Sequence, residues 1–176
     1  MIETMIVATV IAVLTAIAVP TIGRGLQLYR LGSAATDVAN ILERTRYEAI
    51  HRNTIVSCRY VQQGTRWLFW IDLNGNGKAD PTEPQVLLPS EARILPAGIA
   101  PPPDSMGYTN TQIPAGSIAF DSRGTVNYGA NPPAVYTIYI GRPLLEATNG
   151  YKAVTLTPTG RTKVWSASAY GAWYTN

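Results

Sequence analysis

The sequence predicts an α+β protein in which one long N-terminal α-helix packs on a small, mostly antiparallel β-rich globular head. Three observations carry this expectation. An uncharged apolar run extends from Thr4 to Ile22, helical spacing of apolar residues continues to about Asn53, and short β-branched and aromatic stretches separated by turn residues fill the rest. The division expected is a helix over residues 1–53, with 1–22 as its apolar segment of membrane-spanning length, and a head over residues 54–176.

The apolar run, about 20 residues at 1.5 Å each, spans roughly the 30 Å hydrocarbon core of a bilayer. A secretory signal would place basic residues ahead of a shorter run, whereas here the acid Glu3 stands in front and helix-compatible sequence continues behind. A carboxylate beside such a segment is costly to bury unpaired, and the first cation along the chain is Arg24, so a partner for Glu3 has to come from a terminus, a head group or another subunit. Pro20 lacks a backbone donor, and Gly23 and Gly25 follow it, so the sequence predicts a kinked or softened helix from about Ala16 to Gly25. Beyond it Leu31, Ala35, Val38, Leu42, Ala49 and Ile50 form an apolar stripe with Arg30, Asp37, Glu43, Arg44, Arg46, Glu48 and Arg52 largely elsewhere. The helix is expected to end near Arg52 and Asn53.

In the head, strands are expected at Thr54 to Tyr60, Arg66 to Asp72, Gln85 to Leu88, Gly116 to Asp121, Thr125 to Tyr128, Tyr136 to Gly141, Lys152 to Thr157 and Arg161 to Trp165. Leu95 to Gly116, containing Pro101-Pro102-Pro103, reads as an exposed loop, because proline cannot donate to a ladder. A net charge of +3 permits weak attraction to polyanions without requiring it. The one cysteine, Cys58, excludes an intrachain disulfide and reads as a small buried hydrophobe.

Asp72-Leu73-Asn74-Gly75-Asn76-Gly77-Lys78-Ala79-Asp80-Pro81-Thr82-Glu83 fits the D-x-[DN]-x-[DN]-G-x5-E calcium loop. Asp72, Asn74, Asn76, the Lys78 carbonyl, Asp80 and Glu83 are the candidate Ca2+ ligands. The competing reading is an Asn-Gly hairpin turn between two strands. No catalytic constellation emerges: the single histidine, His51, reads as a solvated helix-end residue, and phosphate loops, nucleophile elbows and Cys/His clusters do not occur. The chain is therefore expected not to be an enzyme. Tyr128, Tyr136, Tyr139, Trp165, Tyr170, Trp173 and Tyr174 read as core and interface aromatics.

Met1-Ile2-Glu3-Thr4-Met5-Ile6-Val7-Ala8 through Ala16-Ile17-Ala18-Val19-Pro20 resembles the N-terminal helix of type IV pilins and type II secretion pseudopilins. The resemblance implies that Glu3 pairs with the N-terminal amine of a neighbouring subunit during assembly. It implies too that Pro20 is the family's helix proline, and that two residues precede Met1 in a mature, N-methylated chain. Ser33 to Asn40, Arg46 to Asn53, Trp67 and Asp72 to Gly77 are similar to the GspH/FimT group of minor pilins and pseudopilins. Gly160-Arg161-Thr162-Lys163 is similar to a Gly-Arg-x-Arg motif of FimT-like proteins, with Lys163 in place of the last arginine.

What the resemblance implies for function is a structural subunit of an extracellular type IV pilus-like filament, serving adhesion or motility. Its partners would be copies of itself in a helical polymer, the inner membrane before assembly, and the pilus assembly machinery. The alternative is a minor pilin or pseudopilin acting in type II secretion or DNA uptake. In the latter case Arg161 and Lys163, aided by Arg123, Arg142 and Lys152, would contact DNA; the same side chains also read as ordinary strand-edge charges.

Overall fold

The computed structural model describes residues 2–95, 109–112, 116–126, 134–142, 150–167 and 172–175. Helix α1 (Ile2–Arg52) comes first, about 76 Å long at 1.5 Å per residue. It stops where Asn53 adopts a left-handed φ of 49°. There the Thr54 N–H donates to the Ala49 carbonyl and the Asn53 N–H to that of Ile50, a Schellman closure that lets the chain leave toward the first strand.

Only the second half of α1 packs. Leu31, Ala34, Ala35, Val38, Ala39, Ile41, Leu42, Thr45 and Ala49 are buried in one stripe. Ile50, expected in that stripe, is instead 46% exposed, on a flank it shares with Tyr47. The helix remains α-helical through Pro20, contrary to the expected soft region from Ala16 to Gly25. A proline withholds a single donor, here the one that would reach the Ala16 carbonyl, and the helical bonds on either side keep the segment α-helical; the Thr21 hydroxyl adds a bond to the Ile17 carbonyl at 3.0 Å.

The stripe is covered by two sheets. One holds β1 (Val56–Gln63), β2 (Arg66–Asp72), β3 (Gln85–Leu87) and β6 (Ser117–Phe120) in the order β3-β2-β1-β6. The other holds β4 (Arg93–Ile94), β7 (Ala134–Gly141), β8 (Tyr151–Leu156), β9 (Thr162–Ala167) and β10 (Trp173–Thr175) in the order β10-β9-β8-β7-β4, with β5 (Thr109–Gln112) parallel to β7. Strand alternation sends Val56, Cys58 and Tyr60, Phe69 and Ile71, Ile118 and Phe120, Tyr136, Ile138 and Ile140, and Val154 and Leu156 into one core with the helix. On the far face of the second sheet, Leu95, Tyr139, Ala153 and Trp165 form a smaller cluster flanked by Tyr151 and Trp173.

Strands β4, β5 and β10 add to those read from sequence. β5 lies inside the Leu95 to Gly116 stretch expected to be loop: Thr109 and Thr111 supply the β-branched residues, and the parallel pairing with β7 supplies the ladder. Pro101-Pro102-Pro103 and the expected strand residues after Val126 lie outside the described residues, although Val126 itself bridges Phe120.

Candidate functional sites

The first site is the free half of α1. From Glu3 to Ile22 every residue is exposed, Ile6 at 59%, Leu14 at 62% and Ile17 at 64%, although the segment is long and apolar enough to cross a membrane. Its hydroxyls are internally satisfied: Thr9 and Thr15 donate to the Met5 and Ile11 carbonyls at 2.8 and 2.7 Å, as Thr21 does to Ile17. Such a surface presents methyl groups and almost no unmet polar atoms, the condition for packing in lipid or against other apolar helices. Glu3 is exposed in the first turn and makes no ion pair among the described residues.

The second site is the β2–β3 loop. Asp72, at the end of β2, is 4% exposed, and its Oδ2 accepts from Arg59 Nε at 2.6 Å and from the Gly77 N–H at 3.0 Å. The Asn74 and Asn76 side-chain oxygens accept from the Asn76 and Lys78 N–H groups, and both asparagine amides donate to Asp80 Oδ2 at 2.7 and 2.8 Å. Glu83 is buried and accepts from the Leu73 N–H at 2.8 Å and the Asp80 N–H at 3.3 Å. Within the loop, Asp72 Oδ1 is buried without a hydrogen-bond partner. That atom would welcome a cation, yet the guanidinium already shares the carboxylate. Among the described residues no three His, Cys, Asp or Glu side chains gather closely enough to hold a metal ion. The expected ligands are brought into one loop, but as placed they bond to one another and to Arg59 rather than forming an open calcium shell.

The third site is a cleft of about 480 Å³ beside the C-terminal turns of α1, lined by Glu43, Arg46, Tyr47, Ile50, Arg161 and Thr162. The β8–β9 turn forms one wall. Its Gly160 has φ +78°, and a Cβ there would stand 2.1 Å from the Gly124 carbonyl oxygen. The same oxygen accepts from Arg46 Nε at 3.1 Å, while the Val126 N–H donates to the Pro158 carbonyl at 3.0 Å. Helix, first sheet and second sheet thus meet at Arg46, Gly124 and Gly160.

The structure separates the two residues that sequence placed in one DNA motif. Arg161 lines the cleft, whereas Lys163 Nζ lies 4.2 Å from the Trp165 ring centroid, and Trp165 belongs to the cluster on the far face of the sheet. Lys152 donates to Ser166, and burial pulls its ammonium below the usual lysine range. His51 is exposed and stacks on Tyr47. Cys58 is fully buried: desolvation pushes its thiol up to about 12, with the Thr45 hydroxyl pulling weakly the other way.

An exposed apolar helix continuous with a packed head defines a filament-subunit architecture of the type IV pilin and pseudopilin class, structural and non-enzymatic. A family model described as type II transport protein GspH matches residues 34–160, more than half of the chain, and the chain belongs to that family. Among solved structures, it is similar to the type IV minor pilin FimU of Pseudomonas aeruginosa strain PAO1. The identity is 19%, the alignment covers 76% of this chain and 91% of that one, and the TM-score is 0.48. No curated protein matches the chain.

Proposed function

We propose that this chain is a low-copy pilin-type subunit. Its 3–22 segment anchors it in the inner membrane and then transfers into the core of an extracellular filament, with the assembly machinery driving the exchange. The observation that carries the reading is the apolar half-helix left bare by its own head while rigidly continuous with it. A lipid environment and a bundle of like helices are the two settings that satisfy such a surface, and an assembling filament subunit passes from one to the other. Glu3 pairs with a neighbour's terminal amine in the assembled state, which offsets the desolvation of both groups and fixes axial register. Membership of the GspH family supports a minor role over that of the abundant structural pilin. The test is stoichiometry: in filaments sheared from cells, the chain should be present at trace level beside a dominant pilin. Its being the dominant band would make it the major subunit, and its confinement to the membrane fraction would contradict a filament role.

A second reading, DNA capture, is favoured by one observation, the placement of Arg161 with Arg46 and Tyr47 around one open cleft. Guanidinium groups beside an exposed ring suit phosphate and base contact. It predicts salt-sensitive binding of duplex DNA by the purified chain that falls on Arg161→Ala, with Lys163→Ala contributing less because Lys163 lies over Trp165. Absence of binding at low salt would remove this reading.

A further inference from the structure

The calcium-type loop already holds a cation, and that cation belongs to the protein. We propose that the Arg59 guanidinium takes the place of a metal ion in organising the Asp72 to Glu83 loop, so that the wild-type head folds and keeps this loop without calcium.

Arg59 projects from the face of β1 opposite Cys58 and Tyr60, and its backbone partner across the sheet is Trp70, two residues before Asp72. From there its Nε reaches Asp72 Oδ2 at 2.6 Å. The guanidinium lies flat against Gly77: a Cβ on that residue would sit 3.5 Å from Arg59 Cζ. Gly77, at φ +73°, turns its own N–H onto the same carboxylate oxygen. The Asp72 carboxylate is therefore neutralised by an internal charge that is half-buried and covalently part of an adjacent strand. Two like charges cannot share one small carboxylate site cheaply, so a divalent ion approaching Asp72 meets Arg59 first. Asn74 Oδ1, Asn76 Oδ1 and both Glu83 carboxylate oxygens accept from the N–H groups of Asn76, Lys78, Leu73 and Asp80, and Asp80 Oδ2 accepts from the two asparagine amides. The orphaned Asp72 Oδ1 marks what the substitution of a fork-shaped cation for a spherical one leaves unmet.

The consequence is a latent site. Removing the guanidinium while keeping the loop leaves an uncompensated, buried aspartate in a loop whose other oxygen donors are free to rearrange around a cation. Arg59→Gln should then acquire a calcium response that the wild type lacks.

The experiment is thermal unfolding of the full-length chain in detergent micelles, followed by near-ultraviolet circular dichroism, in chelator and in roughly millimolar calcium, the range in which weak extracellular sites fill. Wild type should melt at the same temperature in both. Arg59→Gln should melt lower than wild type in chelator and recover part of the loss in calcium, binding the ion at least about tenfold more tightly than wild type by calorimetry. If Arg59→Gln does not fold in chelator, recovery on refolding in calcium has the same meaning. If it folds in neither, calcium titration of folded Arg59→Met, which keeps the apolar stem but removes the charge, decides, uptake supporting the proposal and none opposing it. A rise in wild-type melting temperature with calcium, or an Arg59→Gln protein indifferent to the ion, overturns it.

Discussion

Replacing Gly160 by alanine tests how the head is tied to its helix, and the structure sets the size of the effect. The new methyl group would lie 2.1 Å from the Gly124 carbonyl oxygen, so the β8–β9 turn has to retreat by about 1 Å to reach ordinary contact. Alanine at φ +78° adds about 1–2 kcal/mol of backbone strain. The methyl also comes within 2.9 Å of Arg46 Nε and displaces its bond to that oxygen, and retreat stretches the Val126 N–H bond to Pro158, each worth about 1 kcal/mol net. The total is about 3–4 kcal/mol, or a fall of roughly 10 °C in melting temperature for a chain of this size. Gly75 provides the control: its φ is +71°, yet nothing lies within 4 Å of an added Cβ, so Gly75→Ala should cost only the same backbone strain, about 1–2 kcal/mol and roughly 3–6 °C. The assay is tryptophan fluorescence during thermal unfolding in micelles. Equal melting of the two variants would refute the claim that close approach at Gly160 joins the two sheets.

Other outcomes follow from the same geometry. Glu3→Ala should abolish assembly while leaving membrane insertion intact, because it removes the charge for a neighbour's amine yet makes the segment more apolar; filament incorporation by that variant at wild-type level would end the pairing idea. The Cys58 thiol should resist maleimide in the native state and react on unfolding, since burial holds it protonated. Folding raises its value from 9.0 to about 12, so the unfolded chain loses the proton first and stability falls as pH rises through that window. The Cys58 share of that loss totals up to about 4 kcal/mol between pH 9 and 12 and should be missing from Cys58→Ala, which keeps only the part due to buried Tyr60, Tyr136 and Tyr139, as denaturant titrations across that range would show. A wild-type alkaline profile identical to that of Cys58→Ala would contradict this origin.

Much of the architecture was legible because the decisive signals are long. The helix announces itself by an unbroken uncharged run and then by a stripe from Leu31 to Ala49, and β1, β2, β7 and β8 are dense enough in β-branched and aromatic residues to read as strands. Short pairings were hidden. β4 is two residues long and β5 is polar, so each exists by virtue of β7 beside it rather than by its own propensity. Ile50 has the right spacing for burial but lies on the flank of the helix that borders the open cleft, a fact that only the tertiary arrangement contains. The sites show the same division. Asp72 to Glu83 was visible as a loop of oxygen donors, but its resident charge comes from Arg59 on the neighbouring strand, placed there by register. Arg46 read as one more outward charge, and its role at Gly124 depends on a contact 78 residues away in sequence.

The central claim, that the bare half of α1 leaves lipid to pack against other subunits, is tested most directly by photo-crosslinking from Leu14, 62% exposed in the isolated chain. A photoreactive residue there should capture lipid in cells whose assembly machinery is inactive and pilin-sized subunits in sheared filaments of active cells. Lipid adducts alone in both, with the chain absent from sheared filaments, would contradict the account and leave α1 a simple membrane anchor.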